Sequence, residues 1–182
     1  MLSRNSRIVV LATILSLGVM NTSISPQATA KSSPPSFNRY LTHHLFKGKP
    51  AKLTTNSRDA RDYQVQLQAA VKKGINFAGH YVIANNLDRA MGGRDTAAII
   101  DVKTGKVYFP KELRGYHDQR GAGYTPPRPD GGLQYHTNSK LLIIVGLPAN
   151  NNGKQGAGFY YYKWENNQLK FITFVSSPYP NN

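Results

Sequence analysis

Five histidines and nine Asp and Glu are the groups best suited to proton transfer at neutral pH in this 182-residue chain. His80 falls inside an extended run, on one face with Ala78 and Val82. A perturbed histidine there acts as acid or base, and an ordinary one packs on the sheet face. His43 and His44 are adjacent, so they diverge in any regular structure and lack the i, i+4 spacing of two ligands on one helix face. With His117 and His136 also set apart, no metal and no cofactor is expected. The acids are dispersed as well. Asp101 and Glu165 stand at hairpin corners, where accepting turn N–H groups is the ordinary work of a carboxylate. Asp88, Asp95, Asp118 and Asp130 fall on long connections, and no spacing among them selects the facing pair that glycoside hydrolysis uses.

The connection 111–132 holds the densest mixture of polar and cationic side chains. It carries Arg114, Tyr116, His117, Arg120, Tyr124 and Arg128. With His80 these are the candidate ligand-binding residues, a set suited to a polar or anionic ligand. Glu112, Arg114, His117 and Arg120 also supply the residue types of a secreted basic ribonuclease, although rigid elements hold catalytic geometry better than a Gly-rich loop. Several chemistries are excluded. There is no cysteine, so thiol catalysis, Cys-ligated zinc and disulfides are ruled out. Lys103-Thr104-Gly105 matches one element of the penicillin-interacting serine enzymes, but no S-x-x-K accompanies it. H-E-x-x-H, G-x-S-x-G and a phosphate-binding P-loop are also missing.

The elements that must position these residues read as follows. Ser57 to Lys73 predicts a helix, with Ser57 as N-cap, Asp59 and Asp62 in the first turns and Gly74 past the end. Ala60, Tyr63, Leu67, Ala70 and Val71 make its apolar stripe. Strands are expected over 75–84, 97–102, 106–109, 133–136, 141–145, 159–164 and 169–175. Three hairpin turns join them, at 103–105, 137–140 and 165–168. Connections 85–95 and 111–132 are long enough to be functional loops. Tyr160, Tyr162 and Trp164 share one strand face and are expected in the core rather than on an open stacking platform.

Residues 1–30 read as a secretory signal peptide: Arg4 and Arg7, an apolar run from Ile8 to Met20, and Ala28-Thr29-Ala30 before the expected cut. Export to the periplasm or the medium is therefore expected, with no transmembrane segment in the mature chain. Residues 31–56 read as a spacer and docked segment, and 57–182 as a single domain. After the cut, 21 Lys and Arg stand against nine Asp and Glu, a net charge of +12. Outside the cytoplasm such a charge meets anionic envelope polymers or an envelope protein, and nucleic acid is not the expected partner.

Four stretches carry a resemblance: NFAGHY from Asn76, IDVKTGKVYFP ending at Pro110, YHTNSKLLIIVG ending at Gly146, and YYYKWENNQLK ending at Lys170. In these the chain resembles a group of small, secreted, β-rich bacterial proteins without an established activity. The resemblance implies fold and export and assigns no catalytic residue. Members of that group often carry cysteines in stretches corresponding to 85–93 and 153–158, where this chain has none.

The expectation is thus an α+β protein: one antiparallel β-meander of about seven strands, packed by one amphipathic helix. Its leading function is that of an exported envelope-binding or interaction protein. The alternatives are a small hydrolase with a site among His80, His117 and loop acids, and an inhibitor of a secreted toxin or enzyme.

Overall fold

The computed structural model describes residues 33–88, 94–118, 132–151 and 155–176. The chain divides into two units, Met1–Ser32 and Ser33–Asn182, and every described residue belongs to the second.

The helix begins where the sequence places it. Ser57 caps it by accepting from the Ala60 N–H at 3.1 Å. Tyr63 leaves helical geometry, so the expected single helix is two: α1 (Arg58–Asp62) and α2 (Gln64–Lys72). Ala60 and Leu67 are buried, with Tyr63, Ala70 and Val71 packed beside them, which is the stripe read from the spacing. No helix among the described residues is long and apolar enough to cross a membrane.

The strands are β1 (Tyr81–Ala84), β2 (Arg94–Thr96), β3 (Ala98–Asp101), β4 (Val107–Tyr108), β5 (Arg114–Asp118), β6 (Gly132–Tyr135), β7 (Leu141–Leu147), β8 (Gly158–Glu165) and β9 (Gln168–Ser176). All pairings between them are antiparallel. The expected α+β class holds, but the single sheet of about seven strands does not. There is a three-stranded sheet, ordered β1-β3-β4, and a six-stranded sheet, β2-β5-β7-β8-β9 with β6 also on β7. The cause lies at Ala97. β2 and β3 form one extended run that changes sheets there, as strands do at the corners of packed sheets. β2 pairs β5 on one side of this corner, and β3 pairs β1 and β4 on the other.

Three layers result. Val82, Ala84, Ala98, Ile100 and Val102 turn one face of the small sheet to the helices. Ile83 and Ile99 turn the other toward Leu142, Ile144, Tyr160, Tyr162 and Trp164 of the large sheet. The aromatic run is therefore core, as expected. Beyond it, Leu141, Ile143, Val145 and Tyr161 meet Phe37 and Tyr40 from the N-terminal segment.

That segment is docked rather than loose. It forms one helical turn at Phe37–Tyr40 and then runs as a strap. Thr42 N donates to Asn138 O, Phe46 N to Gly79 O, Ala51 N to Val102 O and Thr54 N to Gly105 O, each at 2.8 Å.

Two further expectations are corrected. The run 75–84 is not one strand. Phe77 bridges Tyr81 across a tight turn at 78–80, with φ of +43° at Ala78 and +82° at Gly79. This turn is held from outside, since Ala78 N donates to Ser139 O (3.2 Å) and Gly79 N to Thr137 O (2.6 Å). The connection 111–132 is not loop throughout either. It opens with a helical turn, Lys111–Leu113, and continues as β5.

Candidate functional site

Among the described residues, the candidates His80 and His117 do not come together. His80 sits at the tip of the 78–80 turn, not within a strand. Its Nε2 lies 4.0 Å from Asp101 Oδ1, and its ring is 4.1 Å from that of Tyr81. Asp101 is already engaged. Lys103 N donates to Oδ1 and the Thr104 hydroxyl to Oδ2, both at 2.9 Å, so its carboxylate holds the β3–β4 turn. His117 lies on β5, opposite Leu147 at the C-terminal end of β7. The His80 turn instead contacts residues 137–139, which lead into the other end of β7. The two histidines are therefore separated by about the length of that strand, roughly 20 Å.

Tyr116 is wholly buried, its hydroxyl donating to Asp95 Oδ2 at 3.2 Å. It is a core residue. Arg120, Tyr124 and Arg128 lie outside the described residues. His136 stacks on Phe37 at 3.8 Å, and His43 and His44 are exposed on the strap. Among the described residues, no group of three or more His, Asp or Glu could hold a metal ion.

Burial lowers the His80 pKa, and Lys103 and Lys140 add to this, against a smaller upward pull from Asp101. A histidine depressed in the folded state binds fewer protons than it does in the unfolded chain, whose value is about 6.5. As pH falls through that value the unfolded state takes up the proton first, so stability declines. His80→Gln is expected to flatten the fall in urea midpoint between neutral and mildly acidic pH. An unchanged pH profile would show that His80 carries no such linkage.

Of the candidates among the described residues, Arg114 lines a substantial opening. A cleft of about 780 Å³ runs between β4 with the following turn and the β8–β9 hairpin. The hairpin's two-residue turn, Asn166-Asn167, has φ of +52° and +59°, the left-handed pair such turns need. It brings Asn167, Gln168 and Lys170 to one wall. Tyr108, Phe109, Lys111, Glu112 and Arg114 make the other. In the 111–113 turn Lys111 faces out while Glu112 and Leu113 are buried. Arg114 is oriented by an ion pair with Asp59 of α1 and by the Phe109 ring, 5.6 Å from its guanidinium carbon. Among the described residues, neither Lys111 nor Lys170 meets a carboxylate within ion-pair distance.

Lys111 and Lys170 are the site residues that sequence reasoning missed, and Glu112 was weighed only beside Arg114, His117 and Arg120. Lys170 reads as the polar member of a strand alternation, and nothing local shows that it comes across from Lys111. Comparison with protein-family models, with curated proteins and with solved structures found no match.

Proposed function

We propose that this chain is an exported binding protein of the cell envelope that takes an anionic polymer into the cleft between β4 and the β8–β9 hairpin. One observation carries the reading: three cations, Lys111, Arg114 and Lys170, line the cleft with a single acid, Glu112. Among the described residues neither Lys111 nor Lys170 has a carboxylate within ion-pair distance, and Lys170 Nζ donates to the neutral Gln168 Oε1 at 2.9 Å, so their charge can meet a ligand. The net charge of +12 that remains after the leader is cut attracts polyanions from a distance and the cleft selects where they lodge. Export rests on the leader-like residues 1–30.

Binding is favoured over hydrolysis because His80 and His117 lie far apart and Asp101 is committed to its turn. The test is retention of the protein on purified cell envelope and on an immobilised acidic polymer, at low and at high salt. Exposed cations are screened beyond about 10 Å at 0.1 M salt, so retention is expected at low salt and most of it should be lost at high salt. Absence of retention at low salt would end the proposal.

A further inference from the structure

Beside the cleft lies a second depression of about 380 Å³. Lys111, Glu112 and Leu169 line both, so the two are neighbouring subsites with Glu112 between them. Glu112 is only 8 % exposed. Its carboxylate accepts one hydrogen bond among the described residues, a long one of 3.4 Å from Asn150 Nδ2. An ionised carboxylate offers about four acceptor positions, and those of Glu112 that Asn150 leaves free are open to the two depressions it lines. They can accept from the hydroxyls of a ligand lodged there.

The second depression supplies a complementary surface. Phe171 is 53 % exposed, although it shares a strand face with buried Leu169. It overhangs the depression, and its ring is fixed edge-on to Tyr162 at 5.6 Å. The strand's register shifts just beyond it, between Tyr161 and Tyr162 of the partner strand. The face of an aromatic ring attracts the weakly positive C–H groups along one side of a sugar ring. Asn150, Asn151 and Gln155 add polar side chains at the border.

We infer that the bound polymer is an acidic polysaccharide, with a sugar ring on Phe171, its hydroxyls donating to Glu112, and its acid groups meeting Lys111 and Lys170. This deepens the anionic-polymer reading and rests on it. The chemistry is selective. A polyphosphate has no sugar ring for Phe171 and few donors for Glu112. A uronic-acid polymer brings hydroxyls, ring C–H groups and carboxylates together.

The probes are polygalacturonate and inorganic polyphosphate, titrated into the protein and into its Glu112→Gln and Phe171→Ala variants. Loss of a hydrogen bond to a charged acceptor, or of an aromatic stacking surface, corresponds to about tenfold in affinity. Each variant is expected to bind polygalacturonate about tenfold more weakly and polyphosphate no more weakly than the parent. Because Phe171 is exposed, its variant is expected to keep the parent's thermal midpoint and so to remain informative if Glu112→Gln unfolds. Polygalacturonate affinity unchanged in Phe171→Ala would overturn the inference, as would an equal loss for both polymers. If the parent binds polyphosphate alone, the sugar inference fails and the anionic-polymer reading stands. If it binds neither, both fail.

Discussion

Replacing Gly105 by alanine is expected to cost about 3 kcal/mol of folding stability, read as a lowered urea midpoint. Two costs combine there. Gly105 has φ of +75°, in the left-handed region, which an alanine enters at a penalty of about 1–2 kcal/mol. A Cβ at this position would also lie 1.9 Å from Lys52 O and 2.9 Å from Lys52 C. Both are backbone atoms of the strap, so neither can rotate aside. The strap must lift, losing the bond from Thr54 N to Gly105 O, or the turn must open, losing its hold by Asp101. Gly74 separates the two costs. Its φ is +97°, yet a Cβ there would meet nothing within 4 Å. Gly74→Ala is therefore expected to cost about 1 kcal/mol, the conformational part alone. Equal losses for the two variants would show that the strap does not press on the turn as the structure describes.

The second large effect concerns binding. The double reversal Lys111→Glu and Lys170→Glu is expected to weaken polygalacturonate binding about a hundredfold at low salt, since two attractive contacts become repulsive. Both side chains are exposed, so the thermal midpoint should hardly move. Net charge by itself would weaken binding too, and this needs a control of equal charge. Lys47→Glu with Lys49→Glu changes the total identically, on exposed strap positions outside the cleft lining. That control is expected to lose less than about threefold, through general attraction only. Similar losses for the two pairs would mean a diffuse basic surface with no defined cleft.

How far the sequence foretold this structure depends on whether the signal was local. The Ser57 cap and the Ala60–Leu67–Ala70 stripe are contained within one helical stretch, and the helices form there. The β3–β4, β6–β7 and β8–β9 hairpins follow from polar turns between apolar runs, and all three are present. Their assembly was not legible. A strand run such as 94–101 carries no local mark of the corner at Ala97, because the corner is defined by what pairs on either side. The run 75–84 alternates like a strand, and alanine resists positive φ, so the turn at Ala78 had no sequence signal. It is stabilised by Ser139 and Thr137, more than fifty residues away. The site failed to read out for the same reason. Arg114 and Glu112 were visible as charged residues of one connection, whereas the partner wall with Lys170 and Phe171 arrives through the β8–β9 hairpin.

The most direct test of the account is a map of backbone amide shifts as a short oligogalacturonate is titrated into the labelled protein. The expected result is that perturbed amides cluster at 108–114 and 167–171, the two walls of the cleft, and leave the α2 amides unmoved. Shifts confined to the helices or the strap, or no shifts at low salt, would contradict it.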